Sequence, residues 1–343
     1  MKQFRAITLQ LDDVNEVARL ARLAEDAGFS LAWGIDTPRS NAFVHLAAMA
    51  AHTKTIQIGS GIARAFVRGP LQTAAAAVDL DRLSHGRMVL GLGSGTRKQN
   101  LFELGTPIDH PASQIKELAQ IIRQVWMLNG EENLDFAGKF YRLNARGFTL
   151  PKPLRQDLPI YLAAVNAFML RTAGEVADGL AGHPCFSVKY MQEAVLPQLA
   201  IGWQRAGKTR QEYKITSWLI TNIAKDRKQA RREAAYQIGF YMSTRSYGGI
   251  MDFHGWHREK EAIRVAFFEK RDMEAVADAV SDAMIDTLAL AGTPEDCRKQ
   301  LERYREVLDF PTLYTAGVGP ARTVPQERVR ENLETIIETF AQE

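Results

Sequence analysis

The sequence predicts an α/β fold, a closed (β/α)8 TIM barrel, and two observations support this prediction. Short apolar segments alternate with amphipathic helical segments along the 343 residues, and there are eight apolar segments. Glycine lies beside several of these segments, which is typical of strands that end in tight turns. Parallel strands joined by helices close most simply into a barrel. The predicted strands cover residues 4–9, 30–35, 55–59, 87–92, 159–163, 179–182, 213–224 and 312–316.

The segments between the strands have the residue spacing of amphipathic helices. In the first of them, Val17, Leu20 and Ala24 recur at helical spacing after the acidic pair Asp12-Asp13, and Gly28 follows the end of the helix. A similar spacing recurs in most of the later segments, so each strand is followed by a helix. These later helices are predicted over residues 42–52, 71–83, 113–128, 167–177, 188–206, 227–241, 294–307 and 325–340.

Two stretches interrupt this rhythm and predict insertions, one after the helix that follows the fourth strand and one after the seventh strand. Residues 129–153 contain a hairpin-like segment, Leu134–Leu143, with Gly138 at its centre. Residues 238–270 are rich in aromatic residues and glycine. This second stretch is either a peripheral helical insertion with its own small core, or a lid or substrate pocket over the barrel. No linker divides the chain, so we expect one domain over residues 1–343.

The composition is that of an ordinary globular protein and excludes several classes of partner. The formal net charge is only +3, and no dense basic tract predicts a nucleic-acid partner. No apolar run approaches the roughly 18 residues that a membrane span needs. Cys185 and Cys297 lie far apart, and the N-terminal residues have no apolar signal segment. We therefore expect a cytoplasmic protein with a small-molecule substrate.

The fourth strand ends in a glycine-rich loop, Gly91-Leu92-Gly93-Ser94-Gly95-Thr96, which is the strongest candidate for ligand binding. Ligands bind at the carboxyl ends of strands in parallel α/β proteins, and glycine lets a ligand approach the backbone closely. The hydroxyls of Ser94 and Thr96 suit an anion such as phosphate, although a tight turn without a ligand is equally open. Thr96 stands where a dinucleotide-binding motif requires its third glycine, so that motif is not matched.

Other strand ends add one anion-binding candidate and no set of metal ligands. Asn166 is predicted to cap the helix after the fifth strand, whose N-terminus attracts phosphate. His183-Pro184-Cys185 is the single candidate for metal binding, and two side chains do not make a site, so no metal is expected. The chain has no Gly-x-Ser-x-Gly nucleophile motif and no paired carboxylates at strand ends.

The segment Leu80–Thr96 resembles the hallmark sequence of the bacterial luciferase-like superfamily, D-x-L-S-x-G-R-x-x-L-G-x-G-x-G. Other segments resemble the same superfamily in the same order along nearly the whole chain. These segments are Ala24–Phe29 with Trp33–Asp36, Ile58–Ile62, Pro159–Ala164 with Ala173–Gly179, and Ala291–Glu295. Such motifs are specific for the superfamily and give little information about the substrate.

The resemblance implies an oxidoreductase that uses non-covalent reduced FMN as a flavoprotein monooxygenase on a small organic substrate. Two alternatives stay open: an F420-dependent reductase or dehydrogenase that transfers a hydride, and a non-catalytic flavin-binding or partner subunit. The cofactor ring is expected near the ends of the second and third strands, with a non-proline cis peptide within Ser60-Gly61-Ile62. The resemblance also implies a homodimer.

The resemblance and the strand-end positions together give the candidate site residues. His183 and Asp36 are the candidate catalytic residues, because a neutral imidazole suits proton transfer and a carboxylate at this position can orient the ring or substrate. A capping role for Asp36 is equally open. His254 and His257 are weaker candidates for proton transfer. The predicted cofactor-binding residues are Gly61, Ile62, Gly93, Ser94, Gly95, Thr96, Val165 and Asn166.

Overall fold

The protein forms a closed barrel of eight parallel strands, as the sequence predicts. The computed structural model describes residues 4–128, 133–146, 153–317 and 324–342. The strands are β1 (Ala6–Thr8), β2 (Leu31–Gly34), β3 (Gln57–Ser60), β4 (Ala63–Arg64), β5 (Met88–Gly93), β6 (Leu134–Ala137), β7 (Arg142–Ala145), β8 (Ile160–Ala163), β9 (Gly179–Gly182), β10 (Lys214–Ile223), β11 (Ala289–Gly292) and β12 (Phe310–Tyr314). The barrel runs in the order β1-β2-β3-β5-β8-β9-β10-β12 and closes through the pairing of β12 with β1.

Helices surround the barrel and follow its strands. They are α1 (Val14–Asp26), α2 (Ala42–His52), α3 (Pro70–Leu83), α4 (Arg97–Phe102), α5 (Pro111–Met127), α6 (Ala167–Val176), α7 (Val188–Tyr190), α8 (Leu196–Ala206), α9 (Arg227–Met242), α10 (Gly248–His254), α11 (His257–Arg264), α12 (Met273–Asp278), α13 (Asp282–Leu288), α14 (Pro294–Leu301) and α15 (Gln326–Thr339). Wider helical turns cover Met191–Val195 and Val265–Lys270, and tighter ones cover Arg210–Glu212, Arg245–Tyr247 and Glu302–Tyr304. Within the described ranges, no helix is long and apolar enough to span a bilayer.

The sequence pattern explains the position of the core. All six residues of β5 are buried, as expected for a strand covered on both faces. In α1, the apolar residues at helical spacing are buried against the barrel, and the Asp13 carboxylate caps the helix by accepting a hydrogen bond from the Asn15 backbone N–H. Because the barrel strands are buried on both faces, the surface that a ligand can reach lies at the ends of the strands.

Strand β10 extends beyond the barrel. Its last residues pair with a further strand, β11, that the sequence did not predict. Its first residues pair with β9, its middle with β12, and Ile220–Ile223 pair with β11 outside the barrel. Residues 291–295 were expected only to lead into the last strand–helix unit. Strand β11 was missed because Ala289-Leu290-Ala291-Gly292 is short and lacks β-branched residues.

Two stretches interrupt the strand–helix rhythm of the barrel, one after α5 and one after β10. Strands β6 and β7 form an antiparallel hairpin over residues 134–145. The ends of the predicted 129–153 segment, residues 129–132 and 147–152, lie outside the described residues. Residues 238–270 continue α9 into α10 and α11, at the carboxyl end of the barrel. Cys185 and Cys297 are buried free thiols.

Candidate functional site

Two adjoining cavities open at the carboxyl end of the barrel. The smaller has a volume of about 500 Å³ and the larger a volume of about 1010 Å³. Both are lined in part by the same four residues, Thr96, Arg97, Ser246 and Tyr314, so the cavities share a wall. Two adjoining cavities of this size can hold two ligands side by side.

The smaller cavity brings together all the residues that the sequence predicted to bind a cofactor. Three strand ends supply them, those of β3, β5 and β8. His183 from the end of β9 lies on the same wall. The predicted residues that line this cavity are Gly61, Ile62, Gly93, Ser94, Gly95, Thr96, Val165 and Asn166. Residues far apart in the sequence therefore meet at one place.

Close packing around β3 requires glycine at several positions of the cavity wall. The peptide bond between Gly61 and Ile62 is cis, as the resemblance implied. A Cβ atom on Gly61 would lie 2.4 Å from Cζ2 of Trp218, and one on Gly93 would lie 2.9 Å from Cγ1 of Ile62. The Ser60 hydroxyl donates to the Gly91 carbonyl at 2.8 Å. These contacts fix the floor of the smaller cavity.

The loop after β5 is held in place and keeps backbone donors available. The Asn100 side-chain amide donates to the carbonyls of Ser94 (2.7 Å) and Thr96 (2.9 Å). Thr96 caps α4 through a reciprocal pair of hydrogen bonds with Gln99. The N–H groups of Ser94 and Gly95 donate to no backbone carbonyl in the described part of the chain. Free N–H groups on a fixed loop form a suitable cradle for an anion.

The Asn166 side chain caps the helix after β8, as predicted. Its Oδ1 atom accepts a hydrogen bond from the Met169 backbone N–H at 3.1 Å, at the start of α6. The N-terminus of this helix therefore points to the cavity wall that Val165 and Asn166 form. A helix N-terminus attracts negative charge, which adds to the anion-binding character of the β5 loop.

His183 is a neutral hydrogen-bond donor in the smaller cavity. Its Nδ1 atom accepts a hydrogen bond from the Cys185 backbone N–H at 3.2 Å, so the ring hydrogen is on Nε2. Burial lowers the pKa of His183 to about 3, which keeps the ring uncharged at neutral pH. The Nε2 atom is buried and has no partner among the described residues. His183 therefore offers an N–H donor to a ligand.

Trp218 provides a second unpaired donor on the same wall. Its indole Nε1 atom is buried without a hydrogen-bond partner among the described residues, and the side chain lines the smaller cavity. Buried N–H groups are almost always paired in proteins, because an unpaired one costs about 1–3 kcal/mol. The side chains of His183 and Trp218 thus bring two orphaned donors to the wall of the cavity, where a ligand with hydrogen-bond acceptors could pair with them.

Asp36 lies beside the cavities rather than in them. Its carboxylate accepts hydrogen bonds from the Arg68 guanidinium and from the backbone N–H groups of Ala42 and Arg64. Burial raises the pKa of the carboxyl, but these hydrogen bonds outweigh burial and hold the pKa below its usual value. All its acceptor capacity is thus used inside the protein, partly on the first N–H of α2, whereas the side chain that caps this helix is that of Asn41.

The two weaker histidine candidates lie outside both cavities. The His254 Nε2 atom is 3.0 Å from the Ser187 hydroxyl, and the ring stacks on Trp256 at 4.3 Å. His257 is exposed and lies 3.4 Å from the Asp252 carboxylate. These contacts hold the inserted segment together, so the geometry does not support a role in proton transfer. No group of three potential metal ligands occurs among the residues that the structure describes.

Three tyrosines line the smaller cavity and were not among the predicted site residues. Tyr241 and Tyr247 come from the 238–270 segment, which therefore forms a cavity wall and is not merely peripheral. The hydroxyls of Tyr241 and Tyr314 are 2.9 Å apart, and the Tyr247 ring lies 4.0 Å from that of His183. Tyr314 was missed because the last strand was predicted two residues too late, at 312–316. Tyr314 then fell inside the predicted strand, whereas it is the last residue of β12.

A parallel α/β barrel with a ligand site at its carboxyl end is the architecture of the TIM-barrel enzymes. The sequence profile of the luciferase-like monooxygenase family matches residues 2–309, so the chain belongs to that family. The family consists of flavin- or F420-dependent oxidoreductases, and the chain is an oxidoreductase. Its cofactor is of one of these two kinds.

Three relatives show how far the similarity extends. The 5,10-methylenetetrahydromethanopterin reductase of Archaeoglobus fulgidus is 31% identical over 315 residues, which cover 89% of this chain and 90% of the relative. An uncharacterized protein of Mycobacterium tuberculosis is 31% identical over 291 residues, or 81% of this chain and 84% of that protein. The structure of the coenzyme F420-dependent tetrahydromethanopterin reductase of Methanopyrus kandleri superimposes with a TM-score of 0.83 at 25% identity, covering 100% of this chain and 98% of that chain.

The smaller cavity fits a planar cofactor with an anionic tail. Gly61 and Gly93 line it at positions where a Cβ atom would collide with Trp218 and Ile62, and the side chains of His183 and Trp218, each with an orphaned N–H donor, belong to the same lining. The β5 loop offers backbone donors at one side of the same cavity. Flavins and F420 share a flat ring with carbonyl acceptors and a phosphate on a flexible chain. The residues present therefore suit either cofactor.

Proposed function

We propose that the protein is an F420-dependent oxidoreductase that transfers a hydride between F420 and an organic substrate. The observation that carries the proposal is the full-length similarity to the F420-dependent reductase of M. kandleri. The relative from A. fulgidus, a reductase of a methylene-substituted pterin, supports the same reaction type. The sequence alone favoured FMN, and this similarity changes our preference to F420.

The chain would hold F420 in the smaller cavity through four kinds of contact. Gly61 and Ile62 would line the space for the ring, and the Nε2–H of His183 and the Nε1–H of Trp218 would donate to its acceptors. The N–H groups of Ser94 and Gly95 and the N-terminus of α6 bind the phosphate. When bound and reduced, F420 supplies the hydride. A substrate in the larger cavity lies across the wall formed by Thr96 and Tyr314, which brings it beside the cofactor.

Side-by-side titration with F420 and with FMN tests the cofactor. We expect F420 to bind with micromolar-scale affinity, followed by its fluorescence, and FMN to bind at least about tenfold more weakly. Tighter binding of FMN would identify a flavin enzyme and overturn the proposal. The phosphate and ring contacts described above serve both cofactors, so the titration, rather than the geometry, separates them.

A matched pair of tryptophan substitutions tests the position of the cofactor. Trp218→Phe keeps an aromatic ring but removes the N–H donor, so F420 affinity should fall about three- to tenfold, as expected for one hydrogen bond. Trp203→Phe is the control, because the Trp203 Nε1 atom is also buried and unpaired but lies on α8 outside both cavities. Equal effects of the two substitutions on F420 affinity would place the cofactor elsewhere.

A further inference from the structure

The larger cavity carries cations that the protein itself does not neutralise. Four cationic side chains line its wall. Two of them, Arg39 and Arg97, each form an ion pair with a nearby aspartate. The other two, Lys98 and Arg245, are exposed and form no ion pair with any described residue. Unpaired cations on the wall of a cavity attract an anionic ligand.

The carboxylates on the same wall do not cancel this charge. They are Asp12 and Glu103. Asp12 is already paired with Arg39 at 3.0 Å, and the charge of Glu103 acts on the buried guanidinium of Arg64 nearby. Once the pairs Arg39–Asp12 and Arg97–Asp109 are set aside, Lys98 and Arg245 stand against Glu103 alone, which leaves the wall with an excess of positive charge. This excess distinguishes the larger cavity from the smaller one, whose lining includes only Arg97 and Asp109 as charged groups of this kind.

Aromatic side chains at the rim of the larger cavity are exposed to solvent. Phe102 on α4 is 75% exposed, and Phe268 in the inserted segment is 48% exposed. The Phe268 ring packs edge-on against Phe267 at 5.0 Å, and Phe267 lies 6.2 Å from Phe240. All four rings line the cavity. Exposed rings grouped around a cavity mark a surface that an apolar group covers.

We propose that the larger cavity binds an organic anion with a flat apolar portion. Lys98 and Arg245 neutralise its anionic group, and Phe102 and Phe268 cover its apolar portion. A volume of about 1010 Å³ accommodates a substrate considerably larger than a simple alcohol or ketone. The inference rests on the proposed function, because it names the class of substrate that would meet the cofactor across the shared wall.

Two fluorescent probes that differ mainly in charge test the inference on the full chain without cofactor. The anionic probe is 8-anilinonaphthalene-1-sulfonate, and the neutral one is N-phenyl-1-naphthylamine, which has the same rings without the sulfonate. We expect the double substitution Lys98→Ala/Arg245→Ala to weaken binding of the anionic probe about tenfold, which corresponds to about 1.4 kcal/mol. Binding of the neutral probe should change less than twofold. Equal weakening of both probes, or of neither, overturns the anionic assignment.

Control substitutions separate a local effect from a change in overall charge. Arg142→Ala/Arg258→Ala removes the same net charge from exposed positions outside the cavity and should leave both probes unaffected. Phe102→Ala/Phe268→Ala should weaken both probes severalfold, whereas Phe168→Ala, which removes a ring 73% exposed on the outer face of α6, should not. If the substitutions outside the cavity weaken probe binding as much as those inside it, the inference is overturned. Titration of the same variants with F420 shows separately whether the cofactor binds. Failure of this inference can therefore be told apart from failure of the proposed function.

Discussion

Gly95 is the residue at which the backbone most directly shapes the proposed phosphate site. Its φ angle of +67° lies in the left-handed region, which L side chains rarely adopt. A Cβ atom there would lie 3.0 Å from Nη1 of Arg64 and 3.1 Å from Nδ2 of Asn100. Because Asn100 holds the carbonyls of Ser94 and Thr96, displacing its amide loosens the whole loop.

Gly95→Ala should therefore weaken F420 binding, whereas Gly105→Ala should not. Gly105 has a φ of +65° and no atom within 4 Å of an added Cβ, so it carries the same backbone penalty without the contact. Each substitution should lower the free energy of unfolding by about 1 kcal/mol. Only Gly95→Ala should reduce F420 affinity, by about tenfold or more. Urea unfolding and fluorescence titration measure the two effects, and equal affinities for F420 would contradict the role of the loop.

Asp36→Asn should destabilise the protein at neutral pH, because it leaves the partly buried Arg68 guanidinium without its partner. We expect a loss of about 2–4 kcal/mol in the free energy of unfolding. Asp26→Asn is the control and should cause no measurable loss, since Asp26 forms an exposed pair with Arg22. Urea unfolding at pH 7 measures both variants.

The effect of Asp36→Asn should diminish in acid. The pKa of Asp36 is lower in the folded protein than in the unfolded chain, so its contribution is complete above the unfolded value of about 3.9 and is lost as the pH falls through the folded value. The stabilities of wild type and Asp36→Asn should therefore converge as the pH falls below about 4. Parallel stability curves down to pH 3 would contradict this linkage.

The sequence predicted the site residues whose function depends on the backbone better than those that depend on side-chain partners. The glycines of the β5 loop and the helix cap at Asn166 follow from local spacing alone. The role of Asp36 depends on Arg68, which is 32 residues away, and no local pattern shows that pairing. The same holds for Trp218, whose donor is significant only because nothing in the described fold pairs with it.

At the scale of elements, α6 and α8 pack backbone against backbone where Gly174 and Gly202 meet. A Cβ atom on Gly202 would lie 2.2 Å from the Arg171 carbonyl oxygen and 2.8 Å from the Glu175 nitrogen. Both neighbours are backbone atoms, so they cannot turn aside as a side chain would. The helices can accommodate a larger residue only by separating.

Gly202→Ala should lower the free energy of unfolding by about 1–3 kcal/mol, because the two helices must move apart. Gly249→Ala is the matched control in α10, where no atom lies within 4 Å of the added Cβ. Alanine has the higher helix propensity, so this control should raise stability by up to about 1 kcal/mol. Chemical denaturation shows the sign of each change, and a loss at Gly249 as large as that at Gly202 would refute the packing argument.

The predicted elements were accurate where hydrophobic periodicity was strong and less accurate where composition was ambiguous. All eight barrel strands were predicted, with no end shifted by more than two residues. The shift matters at β12, because placing the strand end two residues too late left Tyr314 out of the predicted site residues. Strand β11 was missed because four small residues have weak strand propensity, and its pairing with the end of β10 is a tertiary effect.

At the scale of the whole molecule, the family and the barrel were predictable from ordered motifs, whereas the division into two cavities was not. The motifs report the strand ends that line the smaller cavity. The larger cavity combines the ends of β1 and β12 with α4 and the 238–270 segment, and its charge depends on which cations lack partners. Pairing of this kind depends on the folded arrangement of many segments.

The extended end of β10 has an engineering consequence. The chain leaves the barrel after β10 for the inserted helices and returns as β11, which is hydrogen-bonded to the last residues of β10 itself. The sheet therefore holds the point where the chain leaves the barrel and the point where it returns about 4.8 Å apart, whichever segment lies between them. The segment that supplies Phe267 and Phe268 can therefore be exchanged between relatives as a cassette. Exchange of the segment between the paired ends of β10 and β11 would alter substrate choice while leaving the eight barrel strands intact.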